Sequence, residues 1–357
     1  MKRLKREKAK MIRQNTVVRK SCLLIFALFL LAPFSFVSAQ IIETEGKIVV
    51  SPVKQRIRVK QKSKGVSDDS DQPAEKLIVV DAKVKLQLCV STGKLKVSGW
   101  ERNEIRAFVG GGSRVGFKVL QKSEQNGMPV WVEVLGFDPT KNNGNSADEC
   151  LSGDEIELDV PRGATVNVKG GESETTIDSV RKTTVEIEGG DIFLNNITHG
   201  IYAKTFEGGV TVENSSGAIT LVSTTGNIVA VAVGASEIGD VFKAKTNSGA
   251  IALQKIGHRQ IEAGSNSGSI RFTGGFQSGG QYNLGTQNGS ILLSIPEKSS
   301  FKLNASYGFG VFNPEIPLQN LVKTPTPKAQ NLSAQMGSGD ATLNLKTVSG
   351  AIRIRKQ

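Results

Sequence analysis

The sequence predicts an all-β protein, wound as a parallel β-helix-like solenoid of coils of roughly twenty residues behind an N-terminal hairpin region. Three observations carry that prediction. Apolar and polar residues alternate with period two through most of the chain after Leu77, the pattern of half-buried strands. No stretch beyond the first forty residues has convincing amphipathic-helix spacing. A short phrase, Gly-x-Ile-x-apolar, recurs at Gly190, Gly217, Gly226, Gly249, Gly268, Gly289 and Gly350, and several copies stand nineteen to twenty-one residues apart. Recurrence at that period is the mark of stacked coils, each too small to bury its own apolar face.

The chain has 357 residues, enough for a large core. Residues 1–39 have the layout of a secretory signal peptide. A basic stretch from Lys2 to Lys20 precedes an apolar run from Leu23 to Ala32, and the small residues of Val37-Ser38-Ala39 precede Gln40. An uncleaved membrane anchor is the alternative; Pro33 and the cleavage site favour removal, which leaves no stable membrane span. The net charge of +12 falls with it, because residues 1–39 hold nine Lys/Arg against Glu7 alone, leaving 12 − 8 = +4 for the rest. That balance excludes nucleic acid as the expected partner. Residues 40–76 read as an extension and linker, with SKGVSDDSDQPAE its polar, Pro-bearing part.

From residue 77 to 357 the chain reads as one domain. Val84, Leu86, Leu88 and Val90 alternate, a turn at Ser91-Thr92-Gly93 follows, and Leu95 and Val97 resume the pattern. A second turn from Ser98 to Asn103 leads to Ile105, Ala107 and Val109, so this region predicts strands joined in hairpins. Residues 110–112 and 137–149 read as loops around the strand VWVEVLG, and Pro161-Arg162-Gly163 as a turn after Ile156, Leu158 and Val160. In the repeats that follow, glycine turns the chain and the Ile and the apolar residue two places on face the core. The nine-residue step from Gly217 to Gly226 keeps a β-sandwich as the alternative. Residues 313–335 carry four prolines and read as a loop insertion before a last hairpin, GDATLNLKTVSGAIRIRK, that closes or caps the stack.

In order along the chain, these residues resemble the DUF4097-type adhesin family. Its G-x-I-x-V-x-G-W-D/E-R segment is matched by Gly93-Lys94-Leu95 and Gly99-Trp100-Glu101-Arg102, its V-P-x-G turn by Val160 to Gly163, and its S-G-x-I phrases by the repeats. The resemblance covers about residues 80 to 357. It implies a β-helical bacterial surface or periplasmic protein: a fold and an address rather than a ligand.

Residues that could carry chemistry are sparse. Gly111 and Gly116 have the first spacing of a phosphate loop, but Phe117 stands where Lys is needed and no helix follows. Calcium-binding repeats need a carboxylate in each copy; Asp191 and Asp340 are isolated, and Asp148, Glu149, Asp154 and Glu155 read as a solvated acidic loop. His199 and His258 are the only histidines, read as exposed turn residues rather than zinc ligands, and there is no Gly-x-Ser-x-Gly elbow. The enzyme alternative is a polysaccharide lyase or hydrolase, which would align carboxylates with Arg or Lys along one exposed sheet. No catalytic residue, metal ligand or cofactor is expected. Cys89 and Cys150 either form a disulfide, stabilising by about 4 kcal/mol, or remain separate thiols. Trp100, Glu101 and Arg102 read as an end cover for the stack, with contact to a partner as the alternative. The expectation is an exported, non-enzymatic adhesin-like or scaffold protein that presents a rigid surface to a cell-surface polymer or envelope protein, from the periplasm, the outer surface or the medium. The alternative function is a periplasmic envelope-stress or regulatory accessory.

Overall fold

The computed structural model describes residues 74–137, 150–327 and 329–357, all within the unit Ser67–Gln357. The signal segment, the extension up to residue 73, residues 138–149 (Asp148 and Glu149 among them) and residue 328 lie outside the described residues. Asp154 and Glu155, read as part of an acidic loop, lie instead in the strand Leu151–Pro161. The described chain is all β. It begins with β1 (Ala74–Val79), β2 (Lys85–Trp100), β3 (Glu104–Gly110), β4 (Arg114–Lys122), β5 (Pro129–Phe137), β6 (Leu151–Pro161) and β7 (Thr165–Asp178). Two-strand coils follow: β8 (Lys182–Gly189) with β9 (Ile192–Asn195), β10 (Ile201–Glu207) with β11 (Val210–Glu213), and β12 (Ile219–Thr225) with β13 (Ile228–Val233). The next are β14 (Val241–Ser248) with β15 (Ile251–Ile256), β16 (Gln260–Ser267) with β17 (Ile270–Thr273), and β18 (Gln281–Asn288) with β19 (Ile291–Ile295). The chain ends with β20 (Phe301–Phe309), β21 (Phe312–Pro314), β22 (Gln319–Pro325), β23 (Gln330–Met336), β24 (Ala341–Ser349) and β25 (Ile352–Lys356).

All 25 strands belong to one hydrogen-bonded, mostly parallel sheet. It folds into two faces because β2 and β7 each bend through a corner and continue on the second face. The first half of β7 pairs with β8 and the second with β9. The bend has a sequence cause. In β2 the buried residues are Leu86, Leu88 and Val90 before the corner, then Leu95 and Val97 after it. Inward positions switch from even to odd, so the corner must absorb one residue of phase. Each later coil repeats the switch, as in Val185 and Ile187 to Ile192 and Leu194.

Parallel register stacks like on like. Ile201, Ile219, Phe242, Ile261 and Tyr282 are successive rungs on the first face. Ile192, Val210, Ile228, Ile251, Ile270 and Ile291 are rungs on the second. All are buried, and together they form one continuous core. The solenoid is therefore the fold, and the sandwich alternative is set aside: neighbouring coils pair in parallel, which short hairpins cannot do.

The ends depart from the expected order. The first-face part of β2 lies between β5 and β7, and its second-face part between β6 and β7. At the other end β24 lies between β18 and β20, and β25 between β19 and β21. Both the first and the last described coil are thus inserted one place inside the stack. The hairpins expected over residues 84–109 are a correction: β3 pairs with β6 and β1, not with β2. Adjacent strands do form a hairpin at β4–β5. Residues 313–335 are not a loop: β22 and β23 form an antiparallel hairpin docked on β20 and supply the end cap. Residues 341–356 are likewise not a hairpin but a parallel coil. Cys89 and Cys150 are joined by a disulfide, Cα–Cα 4.6 Å, which ties β2 to the start of β6.

Candidate functional site

At the corner leading from first to second face, Gly190, Gly208, Gly226, Gly249, Gly268, Gly289, Gly350 and Gly310 stand in a column. A Cβ on Gly249 would sit 2.0 Å from the carbonyl oxygen of Gly226, and one on Gly268 1.9 Å from that of Gly249. The coils approach too closely there for any side chain. Gly217 belongs to the opposite corner, where a Cβ would strike Gly200; Gly217 and Gly226 flank the single strand β12, which explains their nine-residue step. In the pair Gly208-Gly209 it is Gly208 that occupies the column, against the Gly190 carbonyl. Inward hydroxyls lock the corner: Ser223, Thr246, Ser265, Thr286 and Thr347 each donate to a column carbonyl, for example Thr246 Oγ1 to Gly226 O at 3.0 Å. Burial of these hydroxyls is tolerable because each is paired.

Trp100 is part-buried, and its indole N–H donates to Glu104 O at 2.8 Å. The Arg102 guanidinium lies 5.0 Å from the indole centroid, and Glu101 pairs with Arg162 at 3.0 Å. All three side chains are engaged within this end of the stack. His199 is exposed beside Thr198. His258 is a correction: it is fully buried, with Nε2 2.8 Å from Gly217 O and the Phe242 ring at 5.7 Å. A carbonyl only accepts, so Nε2 carries the proton and Nδ1 is left without a partner. Burial holds this imidazole below its ordinary pKa, against the opposing effects of the Gly217 carbonyl and the Asp240 charge. Burial likewise raises the Tyr282 hydroxyl, which accepts from Gln277 N–H at 2.6 Å. Among the described residues no group of three or more His, Cys, Asp or Glu side chains could hold a metal ion.

On the second face the outward row includes Ala252 and Arg271, which are paired neighbours, and a cavity of about 540 Å³ lies toward its first coils, lined by Lys94, Lys96, Glu155 and Glu174. Two adjoining cavities, of about 650 Å³ and 500 Å³, lie on the outer surface of the first face and share Gly264, Gly285 and Lys346. Such volumes suit a ligand site. Gly264 and Gly285 are paired neighbours in mid-strand, so the floor of this trough is bare backbone. Along the same column Lys245 stands on one side and Lys346 on the other. Lys245 pairs with Glu262 at 2.7 Å.

Two amide ladders wall the trough. On one side Asn304 donates to Asn344 at 2.9 Å, and Asn344 to Asn283 at 2.8 Å. On the other Gln287 donates to Asn266 at 3.2 Å, and Asn266 to Asn247 at 2.6 Å. Each ladder leaves N–H groups and carbonyl oxygens exposed toward solvent. This site was missed by reading repeats for their corners alone. Aligned on the glycine phrase, FKAKTNSGAI, IEAGSNSGSI, YNLGTQNGSI and LNLKTVSGAI show it: the middle two carry glycine where the others carry lysine.

The family model described as Toastrack DUF4097 matches residues 141–355, more than half of the chain. No curated protein matches it. Among solved structures the chain is similar to a "putative cell adhesion protein" from Clostridium sporogenes ATCC 15579, at 14% identity and a TM-score of 0.24, covering 80% of this chain and 100% of that one. A likeness of that size carries no argument about ligand or activity. The family model covers every coil from β7 onward, the trough included, and by that match the chain belongs to the Toastrack DUF4097 family.

Proposed function

We propose that the protein is an exported, non-enzymatic adhesin-like module that holds an extended glycan of the cell surface in the trough on its first face. The trough supports this reading: a bare backbone floor between two walls that offer amide donors and acceptors together. A polyol needs both kinds of partner, repeated at short intervals. A stack of strands about 4.8 Å apart provides that repeat without a flexible loop. Rigidity matters because a preformed wall loses little conformational entropy on binding. Export is supported by the layout of residues 1–39 and by the Cys89–Cys150 disulfide, which persists in oxidising compartments.

The test combines location with binding. Intact cells are treated with protease, and the purified full chain is titrated against cell-wall and capsular glycan fractions. The expected result is cleavage on intact cells and saturable binding without turnover. Complete protection of the protein would instead favour the periplasmic accessory, and release of unsaturated sugars would favour a lyase.

A further inference from the structure

We propose that Gly264 and Gly285 form the floor of a subsite for one carboxylate-bearing sugar ring, with Lys346 holding its carboxylate. The inference rests on the glycan reading above and names the class of unit that the trough selects.

The fold does not need these two glycines. Neither has a left-handed backbone. A Cβ on Gly264 would meet nothing nearer than 3.9 Å, and one on Gly285 nothing nearer than 3.8 Å. The corner glycines, by contrast, would drive a Cβ into a carbonyl at about 2 Å. Glycine in mid-strand weakens a sheet, and it marks places where a ligand approaches backbone closely. In the same column Lys169, Glu186, Lys204, Val222 and Lys245 project side chains up to the trough, and Lys346 and Ser306 do so beyond it. The gap is two strands wide. Its ends are about 14 Å apart between the lysine backbones, long enough for one six-membered ring.

The two bordering cations differ. Lys245 is neutralised by Glu262, whereas Lys346 is exposed and has no ion pair among the described residues. One unpaired positive charge beside a neutral polar cup matches a ligand carrying one negative charge. The floor's Cα–H surface suits the C–H face of a pyranose, and the Asn283 and Gln287 amides stand over its edges for hydroxyls. An extended peptide fits less well. The peptide groups of β16 and β18 are already committed to sheet pairing, so strand addition is not available.

The experiment is calorimetric titration of the full chain with galacturonate and galactose tetrasaccharides, and with a glycan strand containing N-acetylmuramic acid, so that uronic and lactyl carboxylates are distinguished. The wild type is expected to bind a carboxylated probe at least tenfold more tightly than the neutral one. Lys346→Gln, a surface change, should abolish that preference, bringing the affinity for the carboxylated probes down to that for the neutral one. Gly285→Val, which fills the floor, should weaken binding of both kinds, with circular dichroism and melting behaviour checking that the fold is intact. Equal affinity for acidic and neutral probes, a preference that survives Lys346→Gln, or undiminished binding by folded Gly285→Val overturns the subsite. Binding of no saccharide at all overturns the glycan reading with it, and in that case saturable binding of an extended peptide identifies the alternative occupant.

Discussion

At the scale of single residues, the glycines separate by what lies opposite them. A Cβ at Gly249 collides with the Gly226 carbonyl, so Gly249→Ala should destabilise by on the order of 3 kcal/mol. At Gly264 there is room, and Gly264→Ala should stabilise by about 0.5–1 kcal/mol through lower unfolded-state entropy. Urea unfolding of the two variants checks the contrast; similar losses in both would mean that Gly264 is structural. A second column, at the end of the second face, holds Ser179, Asn196, Asn214, Ala232 and Lys255 in the left-handed region. The sequence marks that column only at its two Asn residues and at Gly274, the next rung, because Ser, Ala and Lys do not favour such a conformation. His258 supplies a pH prediction. Its folded pKa lies below the ordinary 6.5, so the unfolded chain binds the proton more strongly. Its contribution to stability is full above about pH 6.5 and declines as pH falls below it. Asp240, the carboxylate whose charge opposes this shift, limits its size without reversing it. The urea midpoint of the wild type should fall between about pH 8 and about pH 5, and His258→Gln should flatten that fall; an unchanged slope in the variant would assign the acid sensitivity to other groups.

At the scale of elements, the disulfide acts on the end of the stack where the chain crosses itself. It closes a separation of 61 residues and joins β2 to β6, two strands that are neighbours only in space. Reduction should cost about 4 kcal/mol in the chain-entropy model. The loss should be localised, because each coil of a solenoid touches only its neighbours. Amide exchange under reducing conditions is therefore expected to rise first in β2, β5 and β6 and last in β12 to β17. Uniform acceleration would show instead that the stack unfolds as one unit. The individual strands were legible from alternation, since a half-buried strand must alternate. Their partners were not: alternation says which side of a strand is apolar and nothing about which strand lies beside it. The hairpins expected over 84–109 and the loop expected over 313–335 both failed for that reason. Prolines 314, 317, 325 and 327 suggest a loop, but an end cap also tolerates proline, because its outer edge needs no hydrogen-bond donors.

At the scale of the whole molecule, both ends of the stack are built the same way, with a coil tucked one place inside and antiparallel strands laid over the outermost one. β4 on β5 and β3 on β6 cover one end, and β23 and β22 on β20 cover the other. A solenoid exposes two sheet edges that invite pairing with other chains, and caps of this kind blunt them. The tuck makes the last coil essential. Ending the chain after Gly339 would remove β24 and β25 and leave β18 and β20 without their shared partner. Such a truncation is expected to aggregate or to lose its cooperative unfolding transition; a soluble protein that simply melts slightly earlier would show that the outer coil can dock on β18 directly. The trough depends on the same insertion, because Lys346 and Asn344 reach it from β24, some sixty residues beyond Gly285 and Asn283.

The sequence by itself determined the class of fold, the period of the coils, the residues that fill the core and the family. These follow from local rules: alternation, turn chemistry and repetition act over a few residues and survive any rearrangement of the coils. The order of the coils at either end, the pairing of Cys89 with Cys150, the burial of His258 and the meeting of Lys346 with two distant glycines were decided only by the tertiary structure. Each depends on which strand docks beside which, a choice made by packing between residues far apart in the chain.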